Sequence, residues 1–196
     1  MDSDLILILD FGGQQAQRMA RKLRGERYFC EIVPGETPAA KLAARGPKGL
    51  VLAGGTGDPG APDARSVDAD VFTLGLPVLA MGYGARQMAL TLGGQLLGTQ
   101  LTDRSAQISF ADSPLFEGLG ESERFFSRVD SLELPDGFGA IPFSSGGLVP
   151  AFACEEKKLY ALQFYAEAND PDGLQILANF AGSICGCEAW WSMEAF

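Results

Sequence analysis

Pro77-Val78-Leu79-Ala80-Met81-Gly82-Tyr83-Gly84-Ala85-Arg86-Gln87 is the stretch on which the reading of this chain rests. An apolar run ends in a glycine-rich turn, and Met88, Ala89, Leu90 and Leu92 continue at helical spacing. The pattern is a strand, a sharp turn and a helix. In α/β enzymes such a turn can be a nucleophile elbow, where a Ser or Cys on strained backbone points into the site. Here the position between Met81 and Tyr83 is Gly82, which has no side chain to attack a substrate. The architecture of a nucleophile turn is present, and the nucleophile is missing.

Outward from this turn the chain alternates strands and helices. Leu5 to Phe11 is a continuous apolar run, suited to a central parallel strand, and stops at Gly12-Gly13. Gln14 to Arg24 places Ala16, Met19, Ala20 and Leu23 on one helical face. Tyr28 to Val33 reads as a second strand. Thr37-Pro38 reads as an N-cap with proline at the first helical position, opening a helix to Arg45. Gly49 to Ala53 is a third strand, Asp63 to Leu74 a helix, and Pro77 to Met81 the fourth strand. Strands and helices at this pace predict βαβ units around a parallel sheet. From Gln95 onward the pattern shifts to short strands, expected at Gln95 to Gln100, Gln107 to Phe110, Arg124 to Val129, Phe138 to Pro142, Leu148 to Cys154 and Leu159 to Phe164. Their turns, Asp136-Gly137, Ser145-Gly146-Gly147 and Glu155 to Lys158, predict a largely antiparallel layer, and a helix from about Pro171 to Ile184 closes the domain.

Composition narrows the function. A chain of 196 residues, 46% hydrophobic, suits one folded domain with a sizeable core. No apolar run approaches the roughly 20 residues of a membrane helix. The acidic start, Met1-Asp2-Ser3-Asp4, is unlike a secretory signal, so the expected location is the cytoplasm. A net charge of -10 argues against nucleic acid as a partner. There is no histidine, and Cys185-Gly186-Cys187 is too tightly spaced for the usual C-x-x-C pattern, so no metal site is expected and Cys30, Cys154, Cys185 and Cys187 read as reduced structural thiols.

The motifs, in order, resemble the class I glutamine amidotransferase family, and most closely the amino-terminal domain of GMP synthases. Ile8 to Gly12 with Gln14 looks like the family's opening strand and turn, and Tyr28 to Ile32 like its second strand. Ala53-Gly54-Gly55 resembles the S-G-G-P oxyanion loop, and Gly82 to Gln87 the C-Y-G-x-Q elbow. Ser113 to Leu119 and Leu134 to Phe138 match family loops, and Tyr160 to Glu167 overlays Y-G-V-Q-F-H-P-E. Ile184 to Cys187 and Trp191 to Phe196 look like the segment leading to an ATP-pyrophosphatase domain. The resemblance implies a flavodoxin-like α/β fold: a mostly parallel central sheet flanked by helices, with added antiparallel strands in the second half. It places the amidotransferase-like domain at residues 1–187 and the start of a joining segment at 188–196. It also implies glutamine hydrolysis by a Cys-His-Glu triad, with backbone N–H groups holding the oxyanion and ammonia passing to a synthetase that aminates an adenylated xanthosine monophosphate.

The departures from the family pattern fall on the chemistry. Gly82 stands at the cysteine position and Tyr165 at the histidine position; only Glu167 keeps its triad identity. The S-H-G-D segment reads Ser127-Arg128-Val129-Asp130, and Thr56 replaces the proline of the oxyanion loop. Without a thiol no acyl-enzyme forms, and a tyrosine with a pKa near 10 is a poor base at neutral pH. Gly54, Gly55 and the Tyr83 N–H are candidates for a residual oxyanion pocket. Gln87 matches a substrate contact, and is equally a polar residue in the first turns of a helix. Arg128 either fills space the missing groups vacate or faces solvent, and Trp190 and Trp191 either pack on the domain or belong to an interface. The expected function is a degenerate amidotransferase domain acting as scaffold or regulator. Its implied partners are an ATP-pyrophosphatase in cis or in trans and a homodimer through that synthetase part. No cofactor is expected here, ATP and Mg belonging to the synthetase. The alternative is a stand-alone sensor of glutamine or a nucleotide.

Overall fold

The computed structural model describes residues 4–110, 112–141, 149–166 and 171–192; within 100–127 several side chains, that of Ser127 among them, lie outside the described set. In chain order the elements are β1 (Ile6–Asp10), α1 (Gln15–Gly25), β2 (Cys30–Pro34), α2 (Ala39–Ala43), β3 (Gly49–Ala53), β4 (Val78–Met81), α3 (Tyr83–Thr91), β5 (Gln95–Ser109), β6 (Glu121–Glu133), β7 (Gly139–Ala140), β8 (Ala151–Cys154), β9 (Leu159–Leu162) and α4 (Pro171–Ala178). Seven strands form one sheet in the order β2-β1-β3-β4-β9-β8-β7, and β5 and β6 form a separate ribbon. The first five strands of that order run parallel, and β8 and β7 complete the sheet antiparallel.

Strict alternation along the parallel strands explains why both faces are covered. Ile6, Ile8, Val51, Ala53, Leu79, Met81, Tyr160 and Leu162 point to one side. There they meet Met19 and Leu23 of α1, Ile176 and Leu177 of α4, and Phe126 and Val129 of β6. Leu7, Leu9, Leu50, Leu52, Val78, Ala80 and Ala161 point to the other, against Leu42 of α2 and Met88 of α3. A strand buried on both faces is apolar at every position, which is why β1 and β3 read as unbroken apolar runs.

Several expected elements differ in detail. The two short strands expected between Gln95 and Phe110 are one strand, β5, with register shifts between Leu96 and Gly98 and between Thr99 and Leu101. The antiparallel layer of the second half is divided: β5 and β6 form the ribbon, whereas β9 joins the main sheet parallel to β4. The helix expected from Asp63 to Leu74 is only a 3-10 segment, Ala69–Thr73. A helix there would need the Val67 N–H, which instead donates to Gln87 Oε1 at 2.8 Å. Thr37 does not cap α2; its hydroxyl donates to the Pro34 carbonyl, and Asp68 Oδ2 accepts from the Ala39 N–H at 2.9 Å. The closing helix follows its expected span, with α4 passing into a π turn over Asn179–Ile184. The Ser145-Gly146-Gly147 turn lies outside the described residues.

Gln163 ties the ribbon to the sheet. Its Oε1 accepts from the Asp130 N–H at 2.9 Å, while its Nε2 donates to the Asp130 carbonyl at 2.9 Å and the Val149 carbonyl at 2.8 Å. At the other end the tail folds back on α1: Trp191 N–H donates to the Arg27 carbonyl, Arg24 stacks over the Trp191 ring, and Trp190 packs on Phe29. Both indoles therefore lie on the domain's own surface. Among the described residues no helix is long and apolar enough to cross a membrane.

Candidate functional site

The parallel pairing of β4 with β9 builds the site. Their register runs from Val78 opposite Leu159 to Met81 opposite Leu162, so both chains leave the sheet side by side at one edge. The Gly82 N–H donates to the Leu162 carbonyl at 2.8 Å, fixing the turn after β4 against the segment that carries Tyr165. Gly82 has φ +52° and ψ -110°, a conformation that side-chain-bearing residues rarely adopt and glycine tolerates. The elbow geometry is thus intact. Its slot is occupied by another side chain: a Cβ built on Gly82 would overlap the Tyr165 phenol, and even Cε1 of that ring would stand at 2.9 Å. Gly84 lets α3 settle on β3, since a Cβ there would come 2.7 Å from the Leu52 carbonyl oxygen.

The Gly54–Gly55 loop at the end of β3 is brought beside the elbow, where a Cβ on Gly55 would overlap the Tyr83 ring. The Gly55 N–H donates to the Gly12 carbonyl at 2.7 Å, and the Gly12 N–H to Asp10 Oδ1 at 2.8 Å, so the loop is bonded to the turn after β1. Tyr83 is buried against Phe11, and its hydroxyl donates to the Arg65 carbonyl at 2.9 Å. Burial raises its pKa.

Of the two readings of Gln87, its surroundings are those of a buried brace: its side chain accepts from the Val67 N–H before the 3-10 turn and is hydrogen-bonded to the Tyr83 side chain. The spacing of C-Y-G-x-Q counts to Arg86, not Gln87, and one residue turns a helical side chain by about 100°. Arg86 faces the site. Its Nε lies 3.8 Å from Asp130 Oδ2, its guanidinium stacks 5.8 Å from the Tyr83 ring centre, and Nη1 is 3.5 Å from the Gly57 carbonyl. Arg128 does not simply face solvent. Although 45% exposed, it donates through Nε to Asp130 Oδ1 at 2.7 Å and Oδ2 at 3.0 Å. Asp130 is buried, and its Oδ1 also accepts from the Thr99 hydroxyl at 2.9 Å. Burial and then the Arg128 charge lower the Arg86 pKa, while Asp130 opposes them. Arg86 and Asp130 are the site residues that sequence reasoning passed over; counting the elbow motif residue by residue would have found the first. Glu167 and the Ser127 side chain lie outside the described residues.

No cysteine is placed to replace the missing nucleophile. Cys30 opens β2, Cys154 pairs with Leu159 at the start of β9, and Cys185 packs on Gly49 at the start of β3, all at the sheet edge opposite the elbow. Cys187 lies at that same edge, close enough to Lys48 and Asp4 to feel both charges. Burial pushes the thiols of Cys30 and Cys187 up to about 11 and raises Cys185 as well. Among the described residues no cluster of three or more metal-ligating side chains is present.

Comparison with known proteins decides what this geometry belongs to. A family model for class I glutamine amidotransferases matches residues 7–183. The chain belongs to that family. The chain is 35% identical to a GMP synthase (glutamine-hydrolysing) from Clostridium acetobutylicum and 39% identical to one from Wolinella succinogenes. Each match takes in 100% of this chain and 39% of the relative, so the chain spans about two fifths of those proteins. Among solved structures, a Thermoplasma acidophilum protein assigned to GMP synthase as one of its subunits is 27% identical with a TM-score of 0.75, the match covering 93% of this chain and 94% of that one. A glutamine amidotransferase from Thermotoga maritima shares the fold, with a TM-score of 0.66 at 15% identity, over 93% of this chain and 84% of that one. In this member of the family the turn between β4 and α3 carries Gly82, and the space a side chain there would take is filled by the Tyr165 phenol.

Proposed function

We propose that this chain is a GMP synthase-type amidotransferase domain that no longer hydrolyses glutamine and serves as scaffold or regulator for an ATP-pyrophosphatase partner. The observation that carries this reading is the pairing of Gly82 with Tyr165: the elbow has no attacking atom, and the volume where its Cβ would stand is filled by the residue at the base position. Covalent catalysis needs a nucleophile within reach of a base. Here one is missing, the other is a phenol, and every thiol lies across the sheet. The relatives support both arrangements of the partner, since this domain matches two fifths of the GMP synthase chains and nearly the whole of the Thermoplasma acidophilum protein. ATP and Mg would then be bound by the synthetase and not by this domain. Residues 1–187 would form the amidotransferase-like unit and 188–196 the start of the joining segment.

Calorimetric titration of the chain with glutamine, with ammonia release followed in parallel, tests the reading. The expected result is neither saturable heat nor ammonia at millimolar glutamine. Saturable heat without ammonia would turn the domain into a glutamine sensor, and sustained ammonia release would refute the loss of chemistry.

A further inference from the structure

On that reading, the positions that depart from the family pattern also set the electrostatics beside the elbow. The side chains at the motif's glutamine and histidine positions in the elbow and S-H-G-D segments are Arg86 and Arg128. Both converge on one carboxylate, Asp130. Their shares are unequal. Arg128 holds Asp130 with Nε at 2.7 and 3.0 Å from its two oxygens, whereas Arg86, with only 13% of its side chain exposed, stands off at 3.8 Å. Asp130 cannot turn toward Arg86 without giving up other bonds, because Thr99 also holds its Oδ1 and Gln163 fixes its backbone on both sides. Among the described residues Asp130 is the one anion in contact with both cations, while Asp58 acts on Arg86 from beyond contact range, so Arg86 keeps no close carboxylate of its own. Arg86 sits in the first turns of α3, whose N-terminal N–H groups add to the positive potential. Arg128, at the solvent side, provides an open approach.

We propose that this pair of arginines binds a small oxyanion, a carboxylate or phosphate group, with Arg86 as the inner contact and Arg128 as the outer one. A guanidinium presents a planar fork of donors matched to such groups and is the side chain suited to hold them where water is largely excluded. The expected ligand therefore carries net negative charge, whereas glutamine is a net-neutral zwitterion with an uncharged side-chain amide. The inference rests on the reading that glutamine chemistry has been lost here, and it concerns the same site.

The test is calorimetry on the full chain at low ionic strength with inorganic phosphate, glutamate and glutamine as separate titrants. At least one of the two anions is expected to saturate in the millimolar range or tighter, and at least tenfold more tightly than glutamine, whose single carboxylate is offset by its ammonium group. Saturation by phosphate alone assigns a phosphate-bearing ligand, and by glutamate alone a carboxylate. R86Q is expected to weaken the anion at least tenfold, and R86K to retain part of the affinity. R128Q, a change at an exposed side chain, avoids a folding failure and is also expected to weaken binding, because it removes the outer cationic contact. The proposal is overturned if neither anion saturates, or if anion binding is unchanged in both R128Q and the folded R86 variants. Ammonia release from glutamine would refute the loss of catalysis without altering the anion titrations, so the two failures are distinguishable.

Discussion

The two edges of the central sheet contrast in geometry and in chemistry. At the edge where β4 and β9 end, the elbow backbone persists at φ +52° and ψ -110°, but Gly82 offers no side chain to attack a carbonyl. At the other edge lie four thiols, the groups able to attack, and three of them are buried with Cys185 half-buried. On the proposed reading, a strained turn outlasts its catalytic use once glycine occupies it, because glycine removes the steric cost that function had justified.

The largest expected effect comes from restoring the side chain at the first edge. Gly82→Cys introduces a Cβ into the Tyr165 phenol and forces a positive φ on a cysteine, and is expected to lower stability by about 3 kcal/mol. Chemical denaturation of the single variant and of Gly82→Cys with Tyr165→His measures it. The double variant should recover part of the loss, giving a coupling between the positions. A single variant as stable as the parent would show that the phenol moves aside freely, and the occluded-slot account would fail.

At the second edge the expected effect is on reactivity. With the Cys30 thiol pushed from 9.0 to about 11 by burial, its thiolate fraction near neutral pH falls about a hundredfold below that of an unperturbed thiol. Iodoacetamide labelling followed by peptide mass mapping should leave Cys30 unmodified in the folded chain and modify it in denaturant. Rapid labelling of Cys30 in the folded state would break the contrast between the edges.

Gln87 sharpens the distinction between scaffold and site within a single helix. Gln87→Leu leaves the buried Val67 N–H without its acceptor, for an expected loss of about 1–2 kcal/mol in a thermal melt. Ligand titrations should be unaffected, in contrast to changes at Arg86. A Gln87 variant of unchanged stability and altered ligand affinity would return that residue to the site.

The sequence was most legible where burial is most complete. Unbroken apolar runs at Leu5 to Leu9 and Leu50 to Ala53 announced strands covered on both faces, and the elbow announced itself through its glycines. Legibility failed where a distant partner decides local structure. Nothing near Val67 signals that its N–H is claimed by Gln87, 20 residues on, so Asp63 to Leu74 reads as helical from its own composition. The Arg128–Asp130 pair is local, two residues apart on β6, whereas the overlap of Tyr165 with the Gly82 slot depends on β9 lying parallel to β4, a pairing about 80 residues apart in sequence: Val78 sits opposite Leu159.

The smallest expected effect lies again at the edge opposite the elbow, where Asp4 clasps the two ends of the domain. Its carboxylate pairs with Lys48 and accepts from the Glu188 N–H at 2.8 Å, and Lys48 also donates to the Gly186 carbonyl. The Lys48 hydrogen bond, followed by that of Glu188, lowers the Asp4 pKa below 3.8. A carboxyl whose folded pKa is depressed stabilises the fold fully above its unfolded value and loses that contribution as pH falls through the folded one. Stability should therefore be flat in this respect above about pH 5 and decline below about pH 4, toward the depressed folded value. Asp4→Asn should flatten that decline while costing little at pH 7, since a partly exposed ion pair contributes little. Denaturation curves of both forms across the acid range decide the matter. Parallel acid profiles would mean that the clasp adds nothing and that the packing of Trp190 and Trp191 holds the tail without it. Convergence of the two profiles at low pH would make Asp4 the titrating element of this edge, where its carboxylate bridges both ends of the domain.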